Sequence, residues 1–263
     1  MLKILFLGDI VGRPGRHGVA HFLKESLDTD TALVIANAEN SAGGNGLTSK
    51  ISLELKKSGC DLLTLGDHVW DQKNFQNEIS TLENVCRPYN LPLENPGKKY
   101  LLHKIPQTDK TIAVATFLGR SFMKIQSDCP FKKFDLFYQE VVETADFLFV
   151  EMHAETTAEK IAFGWHVNGR ASAVVGTHTH VQTADGEILD QGTAYLTDVG
   201  MCGPHRSVLG REVDPIIQRF QDGLPRKCPV ADKDVRVSGC YIELDSMQKI
   251  ALNIKPFQQK IDL

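Results

Sequence analysis

Seven short apolar runs punctuate the chain, at residues 3–7, 32–36, 62–65, 111–117, 147–150, 173–175 and 193–196. Several are apolar almost throughout, as strands buried on both faces must be. Helical periods separate many of them. Val19, Phe22, Leu23 and Leu27 form one stripe, and Leu47, Ile51 and Leu55 form a second that stops at Gly59, a natural residue for the left-handed position after a helix. Phe134, Phe137, Tyr138, Val141 and Ala145 make a third. Thr156-Thr157-Ala158-Glu159 reads as a capping box ahead of Ile161, Ala162 and Trp165. Asp214 and Pro215 read as the N-cap and first residue of a helix through Ile216, Ile217 and Phe220, closed by Gly223. Residues 235–244 and 249–254 read as two strands joined at Asp245-Ser246-Met247-Gln248, with Ile250, Leu252 and Ile254 alternating. No repeat, low-complexity tract or linker divides the chain. The expectation is a single α/β domain over residues 1–263, with a mixed sheet or two sheets sandwiched between helices.

Composition narrows the function. Hydrophobic residues at 42% and charged residues at 24% exclude a disordered chain. With 29 basic against 33 acidic side chains, the formal charge of −4 leaves no footprint for duplex DNA. Positive charge for a phosphate must then be local, from a few arginines or from metal. The apolar run at residues 1–7 stops at Gly8-Asp9, too short for a signal peptide, and no stretch has the roughly 20 apolar residues of a membrane span. Cys60, Cys86, Cys129, Cys202, Cys228 and Cys240 are scattered without a C-x-x-C pair and read as reduced, mostly buried thiols. A cytoplasmic protein with no membrane partner is expected.

The polar residues that matter fall just after the strands, where α/β sheets bind ligands. The first run ends in Gly8-Asp9, the second reaches Glu39-Asn40, and the third ends in Gly66-Asp67-His68. Later runs lead into Glu151-Met152-His153 and Gly176-Thr177-His178-Thr179-His180. A single Asp or His at such a place is more often a turn or surface residue. Five ends delivering carboxylates, an amide and imidazoles together are harder to dismiss. On an extended strand His178 and His180 face the same way, which suits a chelating pair. Oxygen and imidazole donors without thiolate suit Mn, Fe or Zn, and the donor count points to two divalent ions about 3.5–4 Å apart.

The order Asp9, Glu39-Asn40, Gly66-x-His68, His153, Gly176-Thr-His178-Thr-His180 resembles the calcineurin-like metallophosphoesterases. With Gly8-Asp-Ile-Val-Gly-Arg-Pro-Gly-Arg16, Asn37-Ala-Glu-Asn40, His153-Ala-Glu-x-Thr-x-Glu-Lys160 and Thr197-Asp-Val-Gly-Met201, it is similar to their YmdB-like branch, from Leu5 to about Gly210. The branch comprises bacterial phosphodiesterases acting on 2′,3′-cyclic nucleotides and, more weakly, on 3′,5′-cyclic ones. The resemblance implies a four-layer βα sandwich with mixed sheets flanked by helices, and a homo-oligomer. It implies that Asp9, Asn40 and His180 hold one ion, that Glu39 bridges, and that residue 67, His153 and His178 hold the other. His68 matches the histidine facing the leaving oxygen. One position departs: the superfamily motif is Gly-Asn-His, and here Asp67 adds a full negative charge.

The expected chemistry is hydrolysis of a cyclic nucleotide or an RNA-derived 2′,3′-cyclic phosphate. A hydroxide bridging the ions attacks phosphorus in line while His68 protonates the departing ribose oxygen. Arg13, Arg16 and Arg206 are candidates to touch phosphate or base, and Trp70 to stack on a base, although solvated arginines and a buried Trp are the commoner fates. The alternative is a metal-binding regulator of the same fold with little or no catalysis. A Rossmann-type module fits less well, because glycines at 8, 12, 15 and 18 match neither dinucleotide nor P-loop spacing.

Overall fold

The computed structural model describes residues 1–262; Leu263, the end of the expected single unit, lies outside them. In chain order the strands are β1 (Leu2–Leu7), β2 (Asp9–Ile10), β3 (Thr31–Asn37), β4 (Leu62–Thr64), β5 (Val85–Cys86), β6 (Leu101–Lys104), β7 (Thr111–Leu118), β8 (Phe147–His153), β9 (Ala173–Thr177), β10 (Glu187–Ile188), β11 (Ala194–Leu196), β12 (Met201–Pro204), β13 (Val235–Leu244) and β14 (Ala251–Lys260). The helices are α1 (Gly12–Glu25), α2 (Ser49–Lys57), α3 (Phe75–Glu78), α4 (Pro130–Val141), α5 (Thr157–Val167) and α6 (Val213–Asp222).

Two sheets result. The first runs β2-β12-β13-β1-β3-β4-β5, with β14 on the far edge of β13; the second runs β10-β11-β9-β8-β7-β6. Strand periodicity assigns the layers. In β1, Ile4 and Phe6 face the second sheet, where Phe6 stacks on Phe149 with ring centroids 5.2 Å apart, while Leu5 and Leu7 pack under α1 and α2. In β8, Phe147 and Phe149 face inward, and Leu148, Val150 and Met152 pack under α4 and α5. Both faces of both sheets are covered, which is why the runs read as unbroken apolar segments. The architecture is the four-layer sandwich of the metallophosphoesterase type.

Three local expectations are corrected. Thr156 makes no side-chain cap to α5, and Glu159, the other half of the expected capping box, is engaged elsewhere: it accepts from the backbone N–H groups of Arg120 and Ser121. Helix α6 starts two residues before Pro215, with Glu212 as N-cap, though Gly223 closes it in the left-handed conformation as expected. In β14 the alternation breaks. A bulge between Glu243 and Leu244 of β13 leaves Leu252 as the extra, half-exposed residue and buries Ala251 and Ile254 instead. Four of the six cysteines are buried and none is paired among the described residues. No described helix is long and apolar enough to cross a membrane.

Candidate metal centre

Parallel pairing of β1, β3 and β4, and of β7, β8 and β9, points the carboxyl ends of both sheets toward one edge of the sandwich. The inward face, apolar along most of each strand, turns polar there: Asn37, Thr116, Glu151, His153 and Thr177 continue the inward positions of their strands and are all buried. Glu151 accepts from Asn37 Nδ2 at 2.5 Å, Thr177 Oγ1 at 2.6 Å and Thr116 Oγ1 at 3.0 Å. The Thr177 hydroxyl hydrogen is thereby committed, so at 2.8 Å its oxygen accepts from His153 Nδ1–H. This fixes the ring and aims Nε2 outward, the arrangement that orients a metal-binding histidine.

Around His153 Nε2 stand Asp67 Oδ1 at 3.0 Å, His178 Nδ1 at 3.1 Å and Glu39 Oε1 at 3.2 Å. One donor atom from each of these four residues lies within 4.8 Å of all the others. A second group adjoins through Glu39. Asn40 Nδ2 is 3.0 Å from Glu39 Oε1 and 3.2 Å from His180 Nε2, which in turn is 3.9 Å from Asp9 Oδ1. Asp9 Oδ2 accepts from the backbone N–H of His178, whereas Oδ1 is buried with no hydrogen-bond partner. The backbone at residue 66 makes room: a Cβ there would stand 2.1 Å from Glu39 Oε2 and 2.4 Å from His153 Nε2.

The electrostatics favour a cation. Burial alone would suppress the His153 imidazolium, yet the charge of Glu39 and hydrogen bonding to Asp67 raise its pKa well above the ordinary value. Burial opposes ionisation of Asp67, but hydrogen bonds from His153 and His178 hold that carboxyl well below the usual range. Burial pushes the Asp9 carboxyl well above it. His180 is pushed down by burial to about 4 and donates Nδ1–H to Leu209 O at 3.2 Å, so its Nε2 lone pair faces Asn40 and Asp9. Acceptors crowded in this way are stable only with a proton or a metal ion among them. An orphaned buried carboxylate oxygen, a glycine cradle and converging oxygen and imidazole donors fit divalent transition ions.

All seven expected ligand residues therefore gather at one edge, but not as a strand-borne histidine pair. Strand β9 ends at Thr177, and His178 and His180 have left-handed backbones with φ of 96° and 66°. The turn sends His178 toward Asp67 and His153 and His180 toward Asn40 and Asp9. His68 lies alongside, its Nδ1 2.7 Å from Asp71 Oδ2. Asn45 Nδ2 donates to the same Asp71 oxygen at 3.2 Å, and Arg211 holds Asn45 through its Oδ1. Sequence reasoning missed Asp71, Asn45 and Arg211; the only local signal is that Asp71 follows His68 by three residues.

None of the four expected substrate contacts hydrogen-bonds to a cluster residue among the described residues. Arg16 bridges Glu54 Oε1 at 2.9 Å and Ser41 O at 2.6 Å, pinning the segment after Asn40. Arg13 is exposed beside His17 on α1, and Trp70 packs against the core beneath the first sheet. Arg206 lines a separate cleft with Glu212, Asp214 and Lys233.

The chain matches the family model described as YmdB-like protein over residues 5–257. It is 44% identical to the 2′,3′-cyclic-nucleotide 2′-phosphodiesterase of Bacillus subtilis strain 168, covering 97% of this chain and 96% of that protein. A hypothetical protein from Thermus thermophilus has a crystal structure that superposes with a TM-score of 0.92 at 37% identity, covering 98% of this chain and 99% of that one. The crystal structure of a novel phosphatase from Mycoplasma pneumoniae gives a TM-score of 0.92 at 32% identity, with 98% and 93% covered.

Proposed function

Because the chain belongs to the YmdB-like family, we propose that it is a metal-dependent phosphodiesterase, one domain acting on 2′,3′-cyclic nucleotides or RNA-derived 2′,3′-cyclic phosphates and more weakly on 3′,5′-cyclic ones. The observation that carries this is the convergence of Asp9, Glu39, Asn40, Asp67, His153, His178 and His180 on one edge, with the His68–Asp71 pair beside them. Asp9, Asn40 and His180 would hold one divalent ion, with Asn40 presenting Oδ1 after an amide flip. Asp67, His153 and His178 would hold the second, and Glu39, which touches both groups, would bridge. When bound, such ions acidify water and neutralise phosphate charge.

The chain's own residues do the rest. Asp71 takes the Nδ1–H of His68 and orients the ring, so that Nε2 carries the proton given to the leaving oxygen. Among the described residues nothing hydrogen-bonds that Nε2, and it is free for the task. In a 2′,3′-cyclic nucleotide the oxygen of water joins phosphorus, the bond to one ribose oxygen breaks, and that oxygen takes the proton. Because it stays on the sugar, a single monophosphate results. The reading includes a cytoplasmic location, as the scattered cysteines and the short apolar run at residues 1–7 suggest, and self-association, as the family resemblance implies. The test is metal analysis of the purified protein with a screen of cyclic nucleotides. About two Fe, Mn or Zn ions per chain are expected, with turnover lost on chelation and restored by Mn or Fe. Full turnover in metal-stripped protein sinks the proposal.

A further inference from the structure

Lys160 and Asp198 are completely buried, and neither enters the chemistry above. Lys160 Nζ donates to Asp198 Oδ2 at 2.6 Å and to the carbonyl of Thr177 at 2.7 Å. Asp198 Oδ2 also accepts the backbone N–H of Thr179 at 3.2 Å and its hydroxyl at 2.7 Å, while Oδ1 accepts Gly200 N–H at 2.8 Å. These bonds converge on the residue before His178 and the residue between the two histidines. Both histidines hold left-handed φ values that non-glycine residues avoid, so the turn persists only where its surroundings over-determine it. Room for the pair is reserved at residue 176, where a Cβ would stand 2.9 Å from Lys160 Cδ and 1.7 Å from Thr197 O.

A buried ion pair is a poor source of stability, since desolvation offsets most of its attraction and a well-packed apolar replacement is often neutral. Its contacts say more than its energy. We propose that Lys160 and Asp198 are positioning residues that hold Thr179 down and splay His178 and His180 to opposite halves of the donor cluster. They thereby set metal affinity from outside the ligand shell.

The proposal rests on the metal-centre reading and is tested on the full chain with Mn²⁺. In the double variant Lys160→Met/Asp198→Leu, both charges leave together and the volume is kept. It should unfold below the wild-type temperature, because the Thr177 carbonyl and the N–H groups of Thr179 and Gly200 lose their partners. It should also bind Mn²⁺ about 10–100-fold more weakly against a competing chelator, the usual effect of losing an outer-shell support. A purely structural pair would lower the unfolding temperature alike but leave the Mn²⁺ affinity of the folded protein unchanged. Wild-type Mn²⁺ affinity in the folded variant overturns the proposal. If the double variant does not fold, Thr179→Val decides: it keeps the pair and removes only the hydroxyl anchor, so about tenfold weaker binding supports the proposal and unchanged binding overturns it. A wild-type chain that retains no Mn²⁺ fails earlier and removes the metal-centre reading itself.

Discussion

Thr177→Val isolates the support beneath the centre. Valine keeps the shape and β-branching of threonine, so β9 and its pairing with β8 and β11 should survive. What disappears is one hydroxyl, 2.8 Å from His153 Nδ1 and 2.6 Å from Glu151 Oε1. The buried N–H of His153 loses its acceptor, which costs about 1–3 kcal/mol in stability. The ring can escape by giving up the Nδ1 proton and keeping the one on Nε2, which Asp67 and Glu39 accept. That is the nitrogen a metal ion needs. Losing the outer partner of a ligating histidine weakens binding about 10–100-fold, or about 1.4–2.7 kcal/mol. Titration with Mn²⁺ against a chelating dye, run beside thermal unfolding, reads both quantities. A variant that loses stability but binds Mn²⁺ like the wild type would refute the argument, because the hydroxyl would then serve packing and not the tautomer.

Two further substitutions probe the chemistry. With Asp9, Glu39 and Asp67 ionised, two divalent ions leave a net charge of +1, and Asp67→Asn raises it to +2; metal retention should weaken while turnover per loaded site rises, and identical affinities and pH–rate profiles would place Asp67 outside the ligand set. His68→Ala should slow a cyclic nucleotide by about 10²–10⁴-fold and an activated aryl phosphodiester far less, with metal content unchanged; equal losses accompanied by metal loss would make His68 a ligand or structural residue.

The sequence made the sandwich legible where strands are buried on both faces. β1, β3, β4, β7, β8, β9 and β11 stand on the seven apolar runs, and β13 spans the expected 235–244. The two-residue strands β2, β5 and β10 left no trace, because a single pair of bridges imposes no periodicity. The gathering of the seven donor residues at one edge was readable because each lies at, or within three residues of, the carboxyl end of a strand. Direction was not. The histidines of the last motif sit past the end of β9, where backbone turns and not strand alternation aim them. Glu159 shows the limit of local motifs: its spacing from Thr156 suits a cap, but the loop at Arg120, far away in sequence, took the carboxylate first.

One property of the centre follows from which sheet supplies which atom. Asp9, Glu39, Asn40 and Asp67 come from the ends of the first sheet, and His153, His178 and His180 from the second. Neither sheet alone carries a mixed oxygen–nitrogen site. An ion seated among them is a clasp across the sandwich. It must leave when the sheets part, and they are harder to part while it stays. By mass action a ligand at about a thousand times its Kd stabilises the folded state by about 4.1 kcal/mol, and here that energy acts on the seam between the two sheets and not on one loop. Metal supply would then govern how long the molecule stays closed as well as whether it turns over.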